Sequence, residues 1–249
     1  MLTVIGSPVS PYVRKVLATL AVKGLDFEID PVVAFYTDDR FTRLNPLRRI
    51  PLLIDDGEVV ADSSVIVQYL EEKHPEPPVL PATPRERARA RWIEEFADTR
   101  MADVFLWRAF STAVLLPGVF GRERDLDRLQ RVLAEEVPPV MDCLEALAPE
   151  SGFLFDDFGL ADISAAMMFR NMRYARWTPD ASRWPKSARW IAAAEAHPAL
   201  ATCGDWADAL IRVPVLEQRA ALKALGVRVT AETLAVDQPP RRGPMTQFA

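Results

Sequence analysis

A proline-rich segment from Pro75 to Pro84 divides the chain into two parts that differ in hydrophobic pattern. Prolines interrupt helices and strands, and this segment has no apolar periodicity, so we interpret it as a linker between domains. Before it, short apolar runs alternate with helically spaced residues. After it, the pattern is helical and rich in alanine, and all six tryptophans lie there. The sequence therefore predicts an α/β domain followed by an all-helical domain.

The first part begins with a strand, a helix and a second strand. Residues 2–5 are an apolar run that Gly6 ends, as expected for a buried strand. Residues 11–22 carry apolar side chains at helical spacing, and the Lys23–Gly24 pair that follows is typical of a helix end. Residues 27–33 form the second predicted strand. A crossover through one helix makes the two strands parallel.

A hairpin and another helix follow. An Asp-Asp-Gly turn at residues 55–57 separates two short apolar runs, residues 51–54 and 58–61, and Asp-Gly in this setting is a strong hairpin signal. The Asp62–Ser63 pair opens a helix that stops before His74. Because the strands of a hairpin are antiparallel, the first domain is predicted to hold a small mixed sheet in the order βαβ-ββα.

The second part is predicted to consist of helices, placed at residues 85–116, 125–147, 161–177 and 184–196. The Pro117–Gly118 pair ends the first of them in this interpretation. Divided in this way, the chain has an α/β domain at residues 1–76, a linker at 77–84, a helical domain at 85–213, and a C-terminal helix and tail at 214–249.

Composition and charge disfavour several classes of function. The net charge of -5 at pH 7 disfavours nonspecific binding to nucleic acid. The two cysteines, Cys143 and Cys203, and the two histidines, His74 and His197, are isolated, so neither a metal site nor a disulfide framework is expected. The first residues lack a signal-peptide pattern, and no apolar run approaches the roughly 18 residues of a membrane span. We expect a soluble, cytoplasmic protein that binds neither nucleic acid nor membrane.

Three short motifs mark the first part of the chain. They are Ser10-Pro-Tyr-Val-Arg-Lys-Val at the first strand–helix corner, Asn45-Pro-Leu-Arg-Arg-Ile-Pro-Leu-Leu before the hairpin, and Asp62-Ser-Ser-Val-Ile-Val-Gln-Tyr-Leu at the next helix. In this order, followed by a proline-rich linker and helices, they resemble the cytosolic glutathione transferases. The resemblance implies a thioredoxin-like first domain, glutathione as co-substrate without a metal, a small hydrophobic electrophile as second substrate, and a homodimer.

The resemblance also implies which residues bind glutathione. Pro51 matches a cis-proline of the family, and the backbone of Ile50 before it would contact the cysteinyl part of glutathione. The alternative is that Pro51 only starts a strand. Asp62 and Ser63 match the acidic–serine pair that holds the γ-glutamyl end, where the family more often has Glu or Gln before the serine. Both residues are also preferred helix N-caps. Arg49 would pair with the glycine carboxylate. Arg48 replaces a common glycine, and a solvated surface role is the alternative for both arginines.

Ser10 is the predicted catalytic residue. Members of this family stabilise the glutathione thiolate, and lowering a thiol pKa by about two units from about 8.5 requires about 2.7 kcal/mol. A hydroxyl donor to the sulfur supplies about 1.5–3 kcal/mol, and a helix N-terminus adds about 0.3–1 kcal/mol. Pro11 fits the first helical position, which makes Ser10 the N-cap, whereas Ser7 lies in the preceding loop. The alternative is that Ser10 only caps the helix.

Two features of the helical part complete the hypothesis. Trp107, Phe110 and Ser111 are predicted to line an apolar electrophile pocket, although aromatic residues at this spacing also occur in plain cores. A segment that starts at Phe158 resembles the family's helix-capping box, with Gly159 where Ser or Thr is usual. We expect a serine-type glutathione transferase. The alternative is a noncatalytic binding or scaffold protein that kept the fold.

Overall fold

The structure is a computed structural model that describes residues 1–244. Packing divides the chain into two units. Met1–Pro78 and the segment that starts at Ala199 form the first, and Val79–Pro198 forms the second. Residues 199–213, which the sequence analysis places in the helical domain, pack with the α/β region because Cys203 and Leu210 lie in its apolar core.

The first unit is built on a four-stranded sheet in the order β2-β1-β3-β4. Its strands are β1 (Leu2–Ile5), β2 (Phe27–Asp30), β3 (Leu52–Asp55) and β4 (Glu58–Ala61). β1 is parallel to β2 and antiparallel to β3, and β3 is antiparallel to β4, so the predicted mixed sheet is confirmed. β2 ends at Asp30 rather than at Val33, because Pro31 has no N–H group to donate to a ladder.

Helices cover this sheet. The helices of the α/β region are α1 (Pro11–Val22), α2 (Asp39–Leu44) and α3 (Ser63–Lys73). The first and third agree with the predicted positions. The sequence analysis missed α2, because six residues are too few to show helical periodicity. The core between α1, α3 and the sheet contains fully buried Val4, Leu17 and Ile66.

The first unit also contains the C-terminal part of the described chain. It comprises α11 (Pro198–Leu210), a 3-10 turn (Val215–Glu217) and α12 (Gln218–Ala224), followed by residues 227–243, which we call the strap. Strap residues pair with the outer edge of β2, where Ile29 N donates to Arg228 O at 3.0 Å and Thr230 N donates to Ile29 O at 3.1 Å. Further along, Arg241 N donates to Phe35 O at 2.8 Å. The strap thus satisfies backbone groups of an edge strand.

The second unit is helical. It contains α4 (Pro84–Phe96), a π-helical segment (Ala97–Leu115), α5 (Leu116–Phe120), α6 (Leu126–Arg131), a π-helical turn (Val132–Glu136), α7 (Val137–Leu147), α8 (Leu160–Ala166), α9 (Phe169–Tyr174) and α10 (Pro185–Ala196). The first three form one continuous helix of 37 residues. The prediction that Pro117–Gly118 ends it is wrong, because the helix continues through Pro117 to Phe120 and ends at left-handed Gly121. The predicted helix at 161–177 is divided at Met167 and Met168.

Within the described residues, the continuous helix Pro84–Phe120 is long and apolar enough to span a membrane by length and composition, with a mean hydropathy of 1.3 in its best window. Core helices of soluble proteins meet the same criterion, so this finding is weak evidence for a span. The sequence analysis predicts this helix, but the helix contains no uninterrupted apolar run of span length, and it meets the criterion only because averaged hydropathy tolerates interspersed polar residues.

Candidate functional site

The strand register brings the predicted glutathione-binding segments to one edge of the sheet. Ile5 of β1 pairs with Leu52 of β3, and Leu52 pairs with Ala61 of β4. The loop to Ser10 follows Ile5, Pro51 precedes Leu52, and Asp62 follows Ala61. All three motifs therefore leave the sheet at the same row of residues, although they are far apart in sequence.

Ser10 occupies the N-cap of α1, with φ of -71° and ψ of 127°, and Pro11 lies in the first turn. The residue is half-buried, and its side chain makes no capping hydrogen bond. A serine that only caps a helix would accept a hydrogen bond from an N–H group of the first turn. Among residues 1–244, the Ser10 hydroxyl is instead left uncommitted beside the first-turn N–H groups, which have no partners within the helix.

Arg14 and Gln218 fix the loop that leads to Ser10. Nη1 of the buried Arg14 donates to the carbonyl oxygens of Pro8 and Val9 at 2.7 and 3.0 Å. Ser7 is also buried, and its hydroxyl donates to Oε1 of Gln218 at 2.9 Å. The two serines of this loop therefore differ, because the Ser7 hydroxyl is engaged in a structural hydrogen bond.

The Ile50–Pro51 peptide bond is cis, as the family resemblance implies. Half-buried Ile50 lies just outside the ladder between β1 and β3, which ends at Leu52. Its side chain approaches Gly6 so closely that an added Cβ there would lie 3.1 Å from Cβ of Ile50 and 2.6 Å from Cγ2 of Val13. Glycine at position 6 thus permits the close approach of this loop to the helix start.

Asp62 and Ser63 form the start of α3. Asp62 is exposed, has φ of 80° and ψ of 134°, and accepts a hydrogen bond from Ser64 N at 3.0 Å. Ser63 is buried. A positive φ in a residue other than glycine costs about 1–3 kcal/mol, and such strain is concentrated at functional sites. Asp62 thus acts as the expected N-cap in a backbone conformation that helix capping alone does not require.

Lys15 links the two helix starts, and the sequence analysis missed this role. Its side chain is fully buried, and Nζ donates to Oγ of Ser64 at 3.0 Å. The bond joins the second turn of α1 to the first turn of α3, so that the Ser10 and Asp62 corners are held together. No local pattern indicated it, since Lys15 resembles any basic residue of an amphipathic helix.

The two arginines before Pro51 occupy different environments. Arg48 is buried, and its guanidinium donates to Thr37 O at 2.8 Å and to Oγ1 of Thr42 at 2.6 Å. The solvated role considered for Arg48 is therefore wrong: the side chain ties down the segment around α2, and burial lowers its pKa. Its φ of 52° explains why glycine suits this position. Arg49 is exposed.

The residues predicted to line the electrophile pocket lie on the π-helical segment of the second unit. Trp107 is half-buried, whereas Phe110 and Ser111 are buried. The rings of Phe110 and Tyr174 lie 6.2 Å apart. Among the described residues, Oγ of Ser111 has no hydrogen-bond partner. Wide π-helical turns and unpaired buried hydroxyls both occur at functional positions.

The capping box of α8 explains its unusual glycine. Asp162 accepts from Gly159 N at 3.0 Å and from Nε1 of Trp190 at 2.6 Å, and burial raises its pKa. An added Cβ at Gly159 would lie only 2.7 Å from the carbonyl oxygen of Val79. That oxygen accepts a hydrogen bond from Leu160 N at 2.8 Å, so the backbone is fixed there. The box is therefore a structural feature that excludes the usual Ser or Thr.

Potential metal ligands and the two cysteines lie apart from one another in the described part of the chain. No three His, Cys, Asp or Glu side chains in residues 1–244 are grouped so as to hold a metal ion. Cys143 is partly exposed and Cys203 is buried, and neither forms a disulfide. Burial raises the pKa of the Cys203 thiol to about 12, which disfavours a reactive thiolate.

Comparison with known proteins shows which family the chain belongs to. Residues 4–78 match the family "Glutathione S-transferase, N-terminal domain". The chain is 32% identical over 176 residues to an uncharacterized GST-like protein, YibF, of Escherichia coli, which covers 70% of this chain and 84% of that protein. It is 30% identical over 194 residues to maleylacetoacetate isomerase of Pseudomonas aeruginosa, covering 74% of this chain and 87% of that protein.

Solved structures give the same result. A glutathione S-transferase of Methylobacterium radiotolerans, crystallised in complex with glutathione sulfonate, superposes with a TM-score of 0.67 at 30% identity. The alignment covers 81% of this chain and 93% of that one. The fold, the three motifs at one sheet edge and these similarities lead to one conclusion: this protein is a member of the glutathione S-transferase family.

Proposed function

We propose that this protein is a glutathione transferase of the serine type, in which Ser10 stabilises the glutathione thiolate for attack on a small hydrophobic electrophile. The observation that carries this proposal is the uncommitted, half-buried hydroxyl of Ser10 at the N-terminus of α1. In the part of the chain that the structure describes, this hydroxyl neither caps the helix nor bonds to a neighbour, so it is available to a ligand. Buried Arg14, one turn into the helix, adds positive charge on the same side.

The energetics favour ionisation without a general base. A thiolate at neutral pH requires a pKa about two units below 8.5, or about 2.7 kcal/mol of differential stabilisation. A hydrogen bond from Ser10 to the charged sulfur contributes about 1.5–3 kcal/mol. The helix N-terminus contributes about 0.3–1 kcal/mol, and more where it is partly buried. Together these two contributions are sufficient.

The proposed glutathione-binding site is formed by the three segments at this edge of the sheet. The backbone of Ile50, before Pro51, would hold the cysteinyl part, and Asp62 and Ser63 would hold the γ-glutamyl end. Exposed Arg49 would pair with the glycine carboxylate. This binding site is supported by the strained backbone of Asp62 and by the glutathione sulfonate complex of the Methylobacterium relative. The side-chain carboxylate of Asp62 is one methylene shorter than the more usual Glu, which predicts weaker binding of the amine.

The test compares two serines of one loop. Titration of glutathione by calorimetry and assay with a chloronitrobenzene should detect binding and turnover in the wild type. Ser10→Ala should lower kcat by about 10- to 100-fold and raise the pKa of bound thiol, read from its ultraviolet absorbance, because a charge-assisted hydrogen bond is lost. Ser7→Ala removes the same group from the same loop and should lower stability while leaving that pKa unchanged.

Each outcome has a clear meaning. Absence of glutathione binding at millimolar concentration would contradict the proposal and favour a noncatalytic binding or scaffold protein with this fold. Binding with full turnover in Ser10→Ala would show that another group stabilises the thiolate. An equal pKa change in both serine variants would mean that loop geometry, rather than the Ser10 hydroxyl, controls ionisation.

A second candidate activity is glutathione-dependent isomerisation. It is favoured by the similarity to maleylacetoacetate isomerase, which extends over 87% of that protein. The same thiolate would add to an activated double bond, rotation would follow, and elimination would return the thiolate. Assay with maleylacetoacetate distinguishes the two activities, because an isomerase regenerates glutathione whereas a transferase consumes it.

The second substrate and the partner complete the proposal. Trp107, Phe110 and Ser111 would line the electrophile pocket, with the unpaired Ser111 hydroxyl as its polar group. The protein would act in the cytoplasm as a homodimer. Exposed apolar side chains are present on both units, with Val65 at 53% and Trp92 at 51% exposure, and burial in a dimer would remove them from water. A monomeric mass in solution scattering would contradict the dimer.

A further inference from the structure

The strap and α12 line an open cavity in the first unit, at the end of β2. Its volume is about 680 Å³. This lies within the range of about 300–1,000 Å³ that is usual for small-molecule sites. None of the residues proposed above to bind glutathione or the electrophile lines it. The cavity therefore belongs to a part of the molecule that the proposed function does not use.

Three cationic side chains line this cavity. Arg219, Lys223 and Arg228 line it, and the first two lie four residues apart on α12, which places them on one helix face. Among residues 1–244, none of these three cations forms a salt bridge. Nε of Arg219 is also buried without a hydrogen-bond partner. A buried donor of this kind is costly unless a ligand or water accepts from it.

Among the described residues, Asp30 is the one carboxylate in the lining, and its hydrogen bonds are made with the strap. Its two oxygens accept from Oγ1 of Thr233 and from Leu234 N, each at 2.7 Å. Burial raises the pKa of this carboxyl, whereas its two hydrogen bonds and the charge of Arg219 act in the opposite direction. Asp30 thus fastens the strap, and because its hydrogen bonds are with the strap, the hydrogen-bond donors of the α12 cations stay available to an external anion.

The remaining walls are largely apolar. Pro31, Val215, Leu216 and Val227 lie in the lining, and Leu216 is 50% exposed. We infer that the cavity binds an organic monoanion with an apolar body, namely a medium-chain carboxylate. Its carboxylate lies against Arg219 and Lys223, and its chain covers Val215 and Leu216. A strongly hydrated anion without an apolar body would lose water against these walls without compensation.

The experiment uses the full chain and octanoate as the probe, titrated by calorimetry. Octan-1-ol keeps the apolar body without the charge, and acetate keeps the charge without the body. The variant R219Q/K223Q removes the two cations of α12. The variant R43Q/R212Q removes two exposed cations of the same unit that do not line the cavity, and so controls for net charge.

Octanoate should bind the wild type at least tenfold more tightly than either comparison compound, since charge-assisted hydrogen bonds are the strong ones. R219Q/K223Q should weaken octanoate binding at least tenfold, and R43Q/R212Q less than twofold. Equal binding of octanol, unchanged binding to R219Q/K223Q, or no octanoate binding at millimolar concentration would overturn the inference. The comparison of octanoate with octanol needs no variant, so it decides the question even if R219Q/K223Q folds poorly.

Discussion

The close packing around Gly159 in the second unit can be tested by replacing glycine with alanine at two positions. The expected changes in the free energy of unfolding have opposite signs at the two positions. At position 159, a Cβ would lie 2.7 Å from the carbonyl oxygen of Val79, a backbone atom that is held by its hydrogen bond from Leu160 N. At Gly118 in α5, an added Cβ meets nothing within 4 Å. Alanine is therefore expected to be unfavourable at the first site and favourable at the second.

The magnitudes follow from the contacts. Forcing the backbone at Val79 to move costs about 1–3 kcal/mol, the usual penalty for overpacking. Gly159→Ser recovers only a few tenths of a kcal/mol by improving the cap, so it should also be destabilising. Gly118→Ala should stabilise by about 0.5–1 kcal/mol, because glycine in a helix loses more backbone entropy on folding.

Thermal and urea unfolding, followed by tryptophan fluorescence, measure these differences. For a chain of this size, about 2–4 °C of Tm corresponds to each kcal/mol. The expected result is a lower Tm for both variants at position 159 and a higher Tm for Gly118→Ala. A Tm equal to or above that of the wild type for Gly159→Ala would refute the claim that close approach excludes a side chain there.

Two further predictions concern charged pairs in the first unit. Lys73 and Tyr69 hydrogen-bond to Asp55 and lower the pKa of its carboxyl in the folded protein below the usual value of 3.8. The interaction between Lys73 and Asp55 therefore stabilises the fold above pH 3.8. This stabilisation is lost as the pH falls through the lowered pKa of Asp55. Urea unfolding should therefore separate Lys73→Met from the wild type at pH 7, and the difference should shrink below pH 3.8; a difference independent of pH would contradict this. Buried Lys23 pairs with Glu71 at 2.7 Å, and Glu71→Leu should destabilise by about 3 kcal/mol, because it leaves the ammonium without its carboxylate; a loss under 1 kcal/mol in the same assay would contradict it.

Local patterns predicted those parts of the fold that local physics controls. The strand before Gly6, the helix that starts at Pro11, and the hairpin at residues 55–57 each have turn or cap chemistry in the sequence, and each is confirmed. The same patterns placed Ser10 at a helix N-cap, where it lies. Its role in catalysis stays a prediction.

The features that the sequence analysis missed depend on contacts between distant residues. Buried Arg48 looks like a surface cation until the backbone around α2 surrounds it, and Lys15 reaches Ser64 only after α1 and α3 are packed. The exclusion of Ser or Thr at position 159 likewise depends on the carbonyl group of Val79, 80 positions earlier in the chain. A pattern read over a window of neighbouring residues contains none of this information.

The strap also has a consequence for biosynthesis. Ser7 leaves the ribosome 211 residues before its hydrogen-bond partner Gln218. Strand β2 likewise leaves the ribosome long before the strap residues that pair with its outer edge are synthesised. Until then, the nascent sheet exposes an unpaired edge strand, which is a template for pairing with other chains. A chain truncated before the strap should therefore aggregate during expression. Co-expressed chaperones should raise the soluble yield of this truncated chain far more than that of the 249-residue chain.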